Sequence, residues 1–139
     1  MNGHQNVMFS HLIGALKSPR NLNGYGADYA INWELISLRI DEETLTESIL
    51  ETFKDKWNWH KLSSNERLSL SYDLLDKYAD FWDWEEIINR YRNNVIEGQA
   101  IEFYERYKEH IPAAKVQNSR LWHEIVDQQK RQLIAEITA

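Results

Sequence analysis

The sequence predicts an all-α fold: a compact stack of short and long helix pairs, repeating about every 25 residues, with a capping helix at each end. Three observations predict it. First, two Trp-polar-Trp triplets, Trp57-Asn58-Trp59 and Trp82-Asp83-Trp84, stand 25 positions apart. The residues before them recur at the same offset, Leu45-Thr46, Ile49-Leu50 and Phe53 against Leu70-Ser71, Leu74-Leu75 and Tyr78. Ile31-Asn32-Trp33 is a third, weaker copy upstream. Second, the stripes Leu45, Ile49, Leu50, Phe53, Trp57 and Leu70, Leu74, Leu75, Tyr78, Trp82 fit a helical period and miss the alternation of a strand. Third, the same helix-start chemistry returns at each copy.

That chemistry fixes the elements in order. Val7, Phe9, Leu12, Ile13 and Leu16 space out a short amphipathic helix over about 5–17, which Ser18-Pro19 ends. A loop follows at Asn21–Asp28, rich in residues that tolerate positive φ. Its Gly24-x-Gly26 lacks the preceding strand and third glycine of a phosphate loop, so it reads as a linker. Asn32, Asn58 and Asp83 are N-caps, whose side chains accept a bond from an orphaned backbone N–H. Each has an apolar residue before it (Ile31, Trp57, Trp82) and another at N4 (Ile36, Leu62, Ile87), the hydrophobic staple. Asp83 with Glu86 adds the spacing of a capping box.

Thr46 and Ser71 are the N-caps of the longer helices, with Leu45 stapled to Leu50 and Leu70 to Leu75. After Trp84 the pattern drifts. Phe103, Tyr107 and Ile111 match Leu74, Tyr78 and Trp82 at an offset of 29, and no triplet follows. Asn93-Asn94 either breaks a helix or lies in a loop before one starting near Ile96, Pro112 closes that helix, and Lys115–Asn118 is a loop. Asn118 or Ser119 caps a last helix whose Leu121, Trp122, Ile125, Val126, Leu133, Ile134 and Ile137 are expected to pack across the final repeat. The whole is one helical domain, 1–139: an N-terminal cap and loop over 1–30, the repeats over 31–90, a diverged repeat and C-terminal cap over 91–139.

On these residues the chain resembles the tandem tryptophan repeats of uncharacterised bacterial and phage-associated proteins. Their units read Trp-x-Trp, Leu-Ser-x-Asn, then a helix ending Tyr-x-x-x-Trp. Trp57-Asn58-Trp59, Leu62-Ser63-Ser64-Asn65 and Tyr78-Ala79-Asp80-Phe81-Trp82 match. Trp33–Ser37 lacks the Asn, and Ile87-Ile88-Asn89 lacks the Leu-Ser. The likeness covers about residues 31–90 and implies architecture, since such repeats carry no established activity.

Composition bounds the function. The 139 residues suffice for one core, and 42% hydrophobic with 27% charged residues is a globular balance. Six Trp and seven Tyr let short helices bury much area each. A net charge of −6 disfavours direct nucleic-acid or anionic-membrane binding. Lack of cysteine excludes disulfides and thiolate zinc sites and fits a cytoplasmic location. No apolar run reaches a membrane span, and the N-terminus does not read as a secretory signal.

Catalytic signatures are missing too. His4, His11, His60, His110 and His123 show no HExxH spacing, and there is no nucleophile elbow or Walker loop. The tryptophans could stack bases or sugars, but all except Trp122 recur at staple and first-turn positions and Trp122 is on an apolar stripe, which marks them as inter-helix core. What remains is surface. Asp41, Glu42 and Glu43, continuing to Glu47 and Glu51, form either a solvated helix start or a face for a basic partner. Arg90 and Arg92, with Arg106 and Lys108, form a counter-patch that is an interhelical or a partner contact. The candidate partner-binding residues are therefore Asp41, Glu42, Glu43, Glu47, Glu51, Arg90 and Arg92. No catalytic or metal residue is nominated and no cofactor is expected.

The expected function is a non-enzymatic protein-interaction module. Its sharper version is a phage or mobile-element inhibitor that occupies the nucleic-acid site of a basic protein, in the manner of small acidic anti-CRISPR-like proteins. The alternative is a small enzyme with a site assembled from scattered Asp, Glu and His, which an apolar pocket holding a carboxylate of raised pKa would mark.

Overall fold

A computed structural model describes residues 32–138. The expected helix over 5–17, the Gly24-x-Gly26 loop, Ile31 and the histidines at 4 and 11 lie outside the described residues. Within them the chain is all-α, without a strand. The helices are α1 (Trp33–Arg39), α2 (Glu47–Thr52), α3 (Trp59–Ser64), α4 (Tyr72–Lys77), α5 (Trp84–Asn89), α6 (Ala100–Tyr107), α7 (Ala113–Val116) and α8 (Arg120–Thr138).

The capping residues open these helices. Asn32, Asn58 and Asp83 accept from the N–H three residues on, at 3.0, 3.1 and 3.3 Å. Thr46, Ser71 and Ser119 do the same for α2, α4 and α8 at 3.3, 3.1 and 3.2 Å. Asp83 does not complete a capping box. Its own N–H goes to Ser63 Oγ at 2.8 Å, just as that of Asn58 goes to Ser37 Oγ at 2.9 Å. A buried serine at the end of one short helix thus satisfies the donor that starts the next, and Glu86 is left facing His60. Asn89 does this for α8, accepting from Arg120 N at 3.3 Å.

The helices expected to be long are not. α2 and α4 have six residues each and end well before the tryptophans. Phe53 and Tyr78 leave helical geometry at φ −110° and −114°. Lys54 N then bonds Glu51 O, which takes the normal helical donor away from Leu50 O. The Trp57 indole N–H fills the gap at 3.2 Å, whereas Trp82 donates at 3.1 Å to Leu74 O, which also keeps its helical donor, Tyr78 N. The second indole of each triplet secures the turn: Trp59 to Lys54 O at 2.9 Å, Trp84 to Ala79 O at 2.8 Å. Each Trp-x-Trp therefore ties down the end of one helix and its turn with the ring N–H groups and starts the next helix with its middle residue. Phenylalanine would fill the space without the donor.

Ring packing repeats as well. Trp33 meets Trp57 edge-on at 5.1 Å and 89°, and Trp59 meets Trp82 at 4.9 Å and 86°. Trp59 leans on Tyr78 at 5.3 Å, and Trp84 on Tyr107 at 4.9 Å. α1 packs on α3, α3 on α5 and α5 on α8, while α6 also packs on α8. Leu62, Leu75, Ile87, Ile88, Phe103 and Leu121 are sealed at the centre.

The C-terminal third departs from expectation in three places. The helix near Ile96 starts at Ala100 instead, because Gly98 at φ +78° puts a left-handed turn before it. Lys115 and Val116 belong to α7, which Pro112 opens with its fixed φ of −65°. And α8 buries, among the described residues, only Leu121, Ile125 and Gln128, with Glu124 and Val126 half-buried: Leu133, Ile134 and Ile137 are 56, 59 and 72% exposed.

Candidate functional site

The connectors that precede α2, α4 and α6 lie side by side, and side chains from each hold the next in register. Glu42 Oε2 accepts from Ser69 N at 3.2 Å, and Glu66 Oε1 from Arg92 N at 2.9 Å. Asn94 pairs with both backbone groups of Leu70, accepting at 3.0 Å and donating at 2.6 Å. Asn65, at the end of α3, is buried and spends both amide hydrogens on Ser37 O and Ile40 O at 3.0 and 2.8 Å. Its Oδ1 accepts from Arg67 N at 2.9 Å.

Two depressions open on this ladder. The first, about 230 Å³, has a floor of Leu45, Leu50, Leu68, Leu70, Leu74 and Trp82 and a rim carrying Glu42 and Glu47. The second, about 370 Å³, is polar, with Glu66, Glu97, Arg67, Arg92 and Asn93 in its wall. Glu42, Leu68 and Ser69 line both, so the two form one groove.

The residues nominated from the sequence divide between groove and scaffold. Glu42 and Glu47 are on the groove, and Glu43 is exposed in the turn beside it. Asp41 is tied into that turn, accepting from Thr44 N at 2.8 Å, and bonding to Thr44 holds its carboxyl below the usual range. Glu51 accepts from Tyr78 OH at 2.8 Å, which lowers its pKa, and Lys77 joins from 3.8 Å. Lys77 also donates to Glu47 at 3.0 Å. One repeat later Tyr107 OH and Arg106 converge on Asp76, and the Arg106 bond lowers that carboxyl. Arg92 stands in the wall of the second depression.

Arg90 corrects the surface reading: it is 4% exposed and lies inside the stack. Its Nη2 donates to Asn65 O at 2.7 Å and Leu68 O at 2.5 Å, so it is an inter-repeat contact. Burial lowers its pKa to about 10. Lys108 pairs locally with Glu105 at 3.0 Å, outside the groove. Sequence reasoning missed the leucine floor. Leu45, Leu70 and Leu74 read as core from their period, and only the carboxylates at 42 and 47 flanking Leu45 hinted that part of that core opens outward.

The proton-transfer alternative finds less. Asp41, Glu51 and Asp76 are all shifted down, the direction of carboxylates held charged. His60 is exposed and faces a carboxylate on each ring nitrogen, Asp83 at 2.7 Å and Glu86 at 3.7 Å. Among the described residues no cluster of three His, Asp or Glu is arranged to hold a metal, and no helix is long and apolar enough to cross a membrane. Comparison with protein-family models, with curated proteins and with solved structures finds no match to this chain.

Proposed function

We propose that the chain is a non-enzymatic protein-interaction module and that the groove over its connectors takes the partner. The observation that carries this reading is the pairing of a leucine-floored cleft with the Glu42 and Glu47 rim. Such a cleft suits an apolar anchor residue flanked by Lys or Arg. The polar depression alongside, with Glu66 and Glu97, extends the contact to further donors. A net charge of −6 favours encounter with a basic surface. In the sharper form of the proposal that surface is the nucleic-acid site of a phage or host protein, and occupying it inhibits the partner.

The test is capture from a lysate of the native host on the immobilised chain, followed by mass spectrometry. A basic protein is expected, eluting as salt screens charges beyond about 8–10 Å. The variant Glu42→Lys/Glu47→Lys should lose it. Capture that is unchanged both by moderate salt and by this variant would reject the groove. A retained small molecule turned over by the chain would favour the enzyme alternative.

A further inference from the structure

We propose that the free stripe of α8 is a self-association face, taken by the same stripe of a second copy running antiparallel about a two-fold axis. At 3.6 residues per turn, Trp122, Val126, Leu133 and Ile137 fall within about 60° of one another, a third of a turn or so round from the Leu121–Ile125–Gln128 face that packs inward. From residue 129 to 138 every side chain is exposed. These ten residues extend past the last packed turn with Leu133, Ile134 and Ile137 uncovered, so this end of α8 is short of a packing partner.

The spacing of the stripe names a second copy as that partner. It reads the same in both directions about the Gln129–Lys130 bond. With an axis there, Trp122 lies opposite the partner's Ile137 and Val126 opposite the partner's Leu133, which is the self-complementarity an isologous contact requires. Charge agrees. Lys130 and Asp127 share one flank of the stripe, and neither is ion-paired with a described residue. The axis brings Lys130 beside the partner's Asp127, displaced along the helix by about 3 Å.

The contact is small beside the roughly 800 Å² per partner of stable complexes, so association is expected at a Kd on the order of 10 µM.

Sedimentation equilibrium of the intact chain over a concentration series tests this. Mass should rise toward twice that of the chain, and Leu133→Glu should weaken association at least about tenfold, because symmetry buries the new charge twice. Asp127→Lys should weaken it, and Asp127→Lys/Lys130→Asp should restore it. The chain has no cysteine, so Gln129→Cys should oxidise to a linked dimer while Arg131→Cys, on the opposite side of α8, stays monomeric. A chain monomeric at every concentration overturns the proposal; slow labelling of the Gln129→Cys thiol in that monomer would assign the stripe to the chain's own residues 1–31. A dimer indifferent to Leu133→Glu also overturns it.

Discussion

Asn65 and Arg90 sit 25 residues apart, each at the end of a short helix, each buried, each tying its repeat to the one before. The amide does the work without a deficit. Its three bonds use both amide hydrogens and its oxygen, and it brings no charge inside. The guanidinium leaves Nε and Nη1 without partners, and no carboxylate lies within ion-pair distance of it among the described residues. Its longer arm also reaches carbonyls 25 and 22 residues back, where Asn65 reaches 28 and 25. One register thus accepts two chemistries, and only one of them is fully satisfied. Repetition here conserves the need to satisfy carbonyls between neighbours, and the residue that meets it is free to drift.

The largest expected break in this comparison is Asn65→Ala. It strands two buried carbonyls and unpairs the partly buried Arg67 N–H, at about 1–3 kcal/mol for each buried unmet group, so urea unfolding should show a loss of about 3 kcal/mol. Arg90→Met should cost less than about 1 kcal/mol by the same measurement. It leaves Leu68 O without a donor, while Asn65 O keeps the Leu68 N–H at 3.3 Å. It also removes a buried charge that Glu66 compensates only from beyond ion-pair distance, so the net change is small. If Arg90→Met destabilises more than Asn65→Ala, the ranking of amide over guanidinium is wrong.

The smallest effect is in acid. Asp41, Glu51 and Asp76 have folded pKa values below their unfolded references of 3.8, 4.5 and 3.8. The unfolded chain therefore takes up protons first as pH falls. Their contribution is complete above the unfolded values and fades as pH drops below about 4.5 through the folded ones. Melting temperature should decline over that range, and Asp76→Asn should flatten part of the decline. All three carboxylates lie at the surface, so the change is modest.

Where a function of sequence is local, it was legible. The caps at Asn32, Asn58, Asp83, Thr46 and Ser71 depend on residues three apart and could be read directly. The ends of α2 and α4 could not, because each is tied off by a tryptophan ring seven or eight residues downstream reaching back to a carbonyl of the helix. Arg90 reads as surface from its type and is buried because the preceding repeat offers the carbonyls of Asn65 and Leu68. The exposed end of α8 has the periodicity of a packed helix, and periodicity does not say whether a partner is present. At the groove, the acidic rim was visible in Glu42 and Glu47, while the leucine floor is assembled from two repeats and shows only in three dimensions.

The claim beneath all of this is that the triplet tryptophans are structural, holding successive helices together through both ring and N–H. Equilibrium unfolding of Trp84→Phe beside Trp122→Phe tests it most directly. Trp84 is buried and donates to Ala79 O, whereas Trp122 is 38% exposed and outside the triplets. The account predicts a loss of about 1–2 kcal/mol for Trp84→Phe and almost none for Trp122→Phe. Equal stability of the two variants would contradict it.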